Sequence, residues 1–103
     1  MIHVIATIEC NDGKRAAFIE EFKKNVSNCL AEDGCIAYGP TIDLDSGFAP
    51  QGPVRDNVVT VVEQWASLDA LKAHMAAPHM ATYRERVKDL VAGVSLQILE
   101  PAP

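Results

Sequence analysis

His74 and His79 stand out in this 103-residue chain as groups that change charge near neutral pH and lie close together in its second half. His74 falls three residues after Leu71, at the edge of an apolar helical stripe. An imidazole there can take a proton from a bound substrate or hydrogen bond to it. A histidine partly buried for packing alone fits the same spacing. His79 follows Pro78 and precedes Tyr83 by four residues, so the two can meet on one helical face. The same position suits a surface residue at a helix start. Tyr83 points inward by its spacing, and its hydroxyl can bond a substrate oxygen or a neighbour in the core. Arg84 and Arg86 can form solvated ion pairs, or one of them can neutralise a phenolate. Asn57, at the start of a strand, can donate to a carbonyl or simply close a turn.

Metal and cofactor chemistry finds little support in the spacing. No Gly-x-Gly-x-x-Gly loop, phosphate-binding loop or Cys-x2-Cys pair occurs. His74 and His79 are five apart across a proline, which does not set two ligands on one helical face. A zinc site would need Glu63 or His3 to join them. The expectation is therefore no metal and no cofactor.

The elements that would position these groups are legible from periodicity. Residues 2–9 alternate, with Ile2, Val4, Ala6 and Ile8 on one face and Ile5 on the other, as a strand requires. Asn11-Asp12-Gly13 supplies a turn and a candidate N-cap. From Lys14 to Glu32 the apolar residues fall at 18, 19, 22, 26, 29 and 30, an amphipathic helix ended by Gly34. Cys35 to Leu44 reads as a strand at a sheet edge or bulged at Gly39-Pro40, and residues 45–56 as a long loop. Asn57 to Trp65 is a valine-rich strand apolar on both faces. Ser67 caps a helix to about Met75, with Leu68, Leu71 and Met75 inward. Pro78 opens a second helical stretch to about Val91, with Met80, Tyr83, Val87 and Leu90 inward. Gly93 closes it, Val94 to Leu99 is the last strand, and residues 101–103 form a loose tail.

The order is that of the α+β, ferredoxin-like split βαβ: a four-stranded antiparallel sheet with its helices on one side, in one domain over residues 1–103. Helices on one side leave the other face of apolar strands bare. Soluble monomers seldom expose more than a few hundred Å² of contiguous apolar surface, so a homodimer packed sheet to sheet is expected.

Composition narrows the partners. The net charge is −5, and the basic residues are scattered, with Lys14-Arg15 and Lys23-Lys24 the only adjacent pairs, which argues against nucleic acid and anionic membranes. Three cysteines, Cys10, Cys29 and Cys35, form no disulfide framework; with no targeting segment, a cytoplasmic protein with reduced thiols is expected.

The run E-x-G-C-x-x-Y from Glu32 to Tyr38, then Glu63-Gln64-Trp65, Pro78-His79-Met80 and Leu99-Glu100-Pro101, in this order along the chain, resemble the antibiotic biosynthesis monooxygenase family and its bacterial quinol monooxygenase branch. The resemblance implies a dimeric α/β barrel that oxidises electron-rich phenols with O2 and without metal, flavin or haem. It implies catalytic roles for His74, Trp65 and Tyr83, with Trp65 as an aromatic wall that could equally be a core residue. It implies that the face of His3, Ile5 and Thr7 lines the pocket, and with the residues' own chemistry the expected substrate contacts are Asn57, His79, Thr7, His3, Val61 and Arg84. Val61 and Leu71 stand where anthrone oxygenases carry polar groups. Two other readings compete. One is a dimeric module that binds quinones or other hydrophobic metabolites without turnover. The other is an isomerase of a small phosphorylated signalling molecule, which would need Lys14, Arg15, Lys23 or Lys24 at the site.

Overall fold

The computed structural model describes residues 1–103. Its elements run β1 (Ile2–Cys10), α1 (Arg15–Leu30), β2 (Cys35–Thr41), β3 (Val58–Trp65), α2 (Leu68–Ala76), α3 (Pro78–Val87) and β4 (Val91–Leu99). The four strands form one antiparallel sheet in the order β2-β3-β1-β4, the expected split βαβ with its second helical stretch in two pieces. Only α1, α2 and α3 cover the sheet, all on one face. No helix is long and apolar enough to cross a membrane.

Strand alternation decides which side chains meet the helices. Val4, Ala6, Ile8 and Cys10 of β1 and Val59, Val61, Glu63 and Trp65 of β3 are buried on the inner face. Against them α1 lays Phe18, Phe22, Asn25 and Cys29, spaced at helical intervals, and α3 lays Met80, Tyr83 and Val87. The aromatic rings interlock: Phe22 stacks on Tyr38 of β2 with centroids 5.5 Å apart and meets Tyr83 edge-on at 5.7 Å. A smaller cluster of Val4, Trp65 and Leu71 sits beside α2.

Local chemistry sets the element ends. The Ser67 hydroxyl accepts from the Ala70 amide at 3.1 Å and starts α2. Ala77 is extended before Pro78, which takes the first turn of α3. Gly34 has φ +82°, and a side chain there would meet the Ala70 methyl at 2.7 Å, so the turn after α1 tolerates only glycine beside α2.

Several boundaries depart from the periodicity. Asn11-Asp12-Gly13 forms the turn but caps nothing: Lys14 precedes α1 without a side-chain cap, and the Asn11 amide instead donates to the Asp89 carbonyl. Strand β2 is an edge strand as its proline requires, but its irregularity falls between Cys35 and Ala37, and it stops at Thr41. Helix α3 ends at Val87, and Gly93 lies inside β4 opposite Glu9 rather than closing a helix. In α2 the buried pair is Leu71 and His74, while Leu68 and Met75 are exposed.

Residues 42–57 leave the sheet without regular structure and are held by their own polar groups. Arg55 forks onto Asp43 at 2.8 and 2.9 Å, and the Gln51 amide donates to the Leu44 carbonyl at 2.6 Å. This pairing holds the Asp43 carboxyl down at about 2. Phe48, at the tip, is 75% exposed.

Candidate active site

A cavity of about 410 Å³ lies between the inner face of the sheet and helices α2 and α3. Ala6 and Ile8 of β1, Val61 of β3, and Phe22, Met80 and Tyr83 make its apolar body. Its deep end is polar, built from His74, Glu63 and the Tyr38 ring. Its mouth lies along β4, where no helix packs substantially, and there Val94 and Leu96 remain 62% and 38% exposed. Arg84 and Lys88, one turn apart on and just after α3, stand at this wall. The volume and the few polar groups at one end are those of a pocket for a small, largely apolar molecule.

His74 is held from three sides. Its Nδ1 lies 2.6 Å from Glu32 Oε2, the Trp65 indole packs against it with centroids 4.6 Å apart, and Tyr38 meets it edge-on at 5.4 Å. A carboxylate only accepts, so Nδ1 carries the proton and Nε2 keeps its lone pair. Nε2 has no protein partner and is not sealed away from the cavity that His74 lines. Burial lowers the His74 pKa and outweighs the Glu32 hydrogen bond that raises it, so the ring stays neutral at neutral pH.

Glu63 is the second polar group. It is a buried carboxyl on the inner face of β3 that accepts from the Trp65 indole N–H at 2.9 Å. Burial raises its pKa, with the indole bond opposing. Burial likewise raises Tyr38 and Tyr83, so both phenols stay protonated.

The residues singled out from the sequence divide clearly. His74, Tyr83, Val61 and Arg84 border the cavity. Trp65 is fully buried but stands behind His74 instead of facing the cavity. His79 lies outside the cavity wall, its Nε2 3.5 Å from Glu32 Oε2 and its Nδ1 3.1 Å from the Asn25 amide nitrogen. His3 and Thr7 sit on the opposite face of the sheet, because strand alternation gives the cavity Ala6 and Ile8. Asn57 precedes β3 and donates to Asp12 at 2.8 Å, away from the cavity. Of the cations considered for phosphate, Arg15 donates to the Arg55 carbonyl, Lys24 pairs with Glu21, and none of the four borders the cavity.

Glu32, Glu63, Tyr38 and Asn25 carry much of the site's polarity; the first three stand in motifs of the resemblance, and Glu63 also as a possible zinc ligand, but none of the four was assigned a catalytic or substrate-binding role. Glu63 was open to detection: it shares strand parity with Val59, Val61 and Trp65. Glu32 was not, since its partner is 42 positions away.

One group of donors could approach a metal. Cys29 Sγ, Glu32 and His79 place ligand atoms within 4.8 Å of one another. Thiolate, carboxylate and imidazole suit zinc, but burial pushes the Cys29 thiol up to about 12, and Glu32 already serves His74.

Comparison with known proteins identifies the family. Residues 1–86 match the antibiotic biosynthesis monooxygenase family. The probable quinol monooxygenase YgiN of Escherichia coli (strain K12) is 39% identical over 103 residues, with 98% of each chain covered. The crystal structure of PA3566 from Pseudomonas aeruginosa superimposes with a TM-score of 0.81 at 24% identity, covering 99% of this chain and 94% of that one. Rv0793 from Mycobacterium tuberculosis does so with a TM-score of 0.79 at 25% identity, covering 99% and 95%. The chain belongs to the antibiotic biosynthesis monooxygenase family.

Proposed function

We propose that this family member oxidises small quinols or related dihydroxy-aromatics with O2, taking a phenolic proton at His74 Nε2 and needing no metal or organic cofactor. The observation that carries the reading is a buried, neutral imidazole whose tautomer Glu32 fixes and whose free nitrogen faces an apolar cavity. The substrate ring lies against Val61, Ile8 and Tyr83. Deprotonation turns the quinol into a stronger reductant. Two-electron transfer to O2 gives quinone and hydrogen peroxide, whereas insertion of one oxygen atom gives a hydroxyquinone and water. Both balance on the substrate's own electrons. Trp65 acts behind the base by fixing its plane, and the Tyr83 hydroxyl and Arg84 stand where a substrate oxygen or its negative charge can be met.

Ile5, Val62 and Leu99 lie on the uncovered face of the sheet, and this supports a homodimer joined through those faces. A reduced, cytoplasmic setting agrees with its three free cysteines.

The test is oxygen uptake by metal-free protein supplied with a naphthohydroquinone, set against autoxidation. His74→Ala should lower turnover by about 10²–10⁴-fold, the usual contribution of a positioned base. Uptake no faster than the blank, or unchanged by His74→Ala, would defeat the proposal.

A further inference from the structure

We infer that Glu32 and His79 continue from His74 as a proton path, carrying the substrate's proton out of the cavity to the surface behind α3. The inference rests on the reading of His74 as the base. A proton taken at His74 Nε2 has no direct exit while substrate fills the cavity, because the imidazole is only 2% exposed. Its other nitrogen points away from the cavity, to Glu32 Oε2 at 2.6 Å, and the same oxygen lies 3.5 Å from His79 Nε2. Exposure rises along this line, from 2% at His74 to 16% at Glu32 and 24% at His79. The inner end is the cavity, and at the outer end the His79 side chain reaches the surface through atoms other than its buried Nε2.

Two features of His79 fit a relay better than a packing role. Its Nε2 is the one buried side-chain nitrogen or oxygen without a hydrogen-bond partner, and it is aimed at the carboxylate. An orphaned polar atom of this kind costs free energy unless it is used. Its Nδ1 meets the amide of buried Asn25 at 3.1 Å. An amide offers a donor at one end and an acceptor at the other, so turning it over serves either tautomer of the ring. Asn25 Oδ1 is held by Asn28 Nδ2 at 2.9 Å, and Asn28 is exposed and free to turn with it.

The transfers conserve one proton. The substrate hydroxyl gives H⁺ to His74 Nε2, and His74 releases its Nδ1 proton to Glu32. Glu32 passes a proton to His79 Nε2 in its Nδ1–H tautomer, and His79 releases one to water. Tautomer exchange at both rings resets the path. The charged and titratable groups around it are His79 and Arg84 from the α3 side, Tyr38 from β2, Glu63 beyond the Trp65 indole, and the thiols of Cys29 and Cys35 beside Glu32.

The experiment uses the full chain with His79→Gln, which keeps a polar side chain toward Asn25. With a naphthohydroquinone in dilute buffer, kcat should fall about tenfold with KM unchanged, and added imidazole should restore it. Unchanged kcat in dilute buffer, or a loss that imidazole does not relieve, would overturn the path. A second arm needs no turnover: nuclear magnetic resonance titration of the His74 ring. Its midpoint should move in both Glu32→Gln and His79→Gln, and a His74 titration indifferent to His79→Gln would equally overturn it. Absence of quinol oxidation by the wild type would defeat the base assignment while leaving the magnetic resonance arm to decide the connection.

Discussion

The two faces of the sheet are built from the same strands but to different degrees of completion. The inner face carries Val4, Ala6, Ile8, Val59, Val61 and Trp65, all buried under three helices. The outer face carries His3, Ile5 and Thr7 of β1 beside Thr60, Val62 and Gln64 of β3, with Leu99 of β4 at the corner. Polar and apolar residues mix there, and Val62 and Leu99 are exposed to about the same degree. The valine run of β3 suggests a sheet greasy on both sides. Within one chain only one of those sides is covered: Val59 and Val61 are buried on the inner face, while Val62 on the outer face stays exposed. The three helices cover that inner face over β1 and β3 but leave Val94 and Leu96 of β4 exposed, and His74 of α2 and Glu63 of β3 lie in the covered part, where water is scarce and their pKa values are displaced. Burial is therefore the condition of the site's chemistry as well as of the fold.

Removing a large inner side chain should break the comparison most severely. Trp65→Ala deletes a fully buried indole that packs on His74 and donates to Glu63. It should cost about 3–5 kcal/mol of stability in chemical denaturation, as deletions of buried aromatics do. On the outer face, Val62→Ala should change monomer stability by no more than about 0.5 kcal/mol. Similar losses at the two positions would mean that the outer face is already packed within one chain.

A charge on the outer face tests what covers it. Val62→Lys with Ile5→Lys should weaken the proposed dimer by about a hundredfold or more, because each desolvated ammonium would lie against its like across a two-fold axis. Sedimentation of wild type and variant at micromolar concentration gives the answer. A wild type that sediments as a monomer contradicts the dimer outright.

How much of this was legible follows from the range of the forces involved. Ser67, Pro78 and Gly34 act over a few residues, and each ends or starts a helix where its type says it should. The strand alternation of β1 is equally local. The helical stripe of α1 placed Phe18, Phe22 and Cys29 inward but passed over Asn25, a polar residue whose partner, His79, is 54 positions on. Glu32 opens one of the motifs of the resemblance, but no local pattern shows that the fold brings His74 to it. Nothing local shows that β4 would lie beyond the helices and leave Val94 and Leu96 as the rim of a cavity. His3 and Thr7 were aligned with the pocket through resemblance, and the parity of β1 sends them to the other side.

The displaced histidine predicts a pH window. Burial lowers the folded pKa of His74, so between the ordinary histidine value of about 6.5 and that lower value the unfolded chain binds more protons than the folded one. The His74 contribution to stability is present above about pH 6.5 and is lost as pH falls through the window. Turnover should fall over the same acid limb, because protonated Nε2 cannot accept. Replacing His74 by Gln should flatten this part of the stability profile measured by thermal unfolding. A profile as steep in the variant as in the wild type would assign the titration elsewhere.

Glu63 shifts in the opposite sense and gives the smallest effect. Burial raises its folded pKa, so the folded state favours the protonated carboxyl. Stability attributable to Glu63 is greatest below the ordinary carboxyl range and declines as pH rises through the raised pKa. Above it, the fold carries an ionised group on an inner face that is otherwise apolar. Glu63→Gln keeps an oxygen to accept from the Trp65 indole and removes that charge. The variant should gain on the order of 1 kcal/mol at pH 8, with the gain vanishing toward pH 4. Comparing turnover in the same variant sharpens the contrast between the faces. An acid on the outer face would be neutral to both measurements. A gain in stability together with a loss of turnover would mean that Glu63 is retained for what it does to a substrate, since no packing need is met by a buried charge with one hydrogen bond.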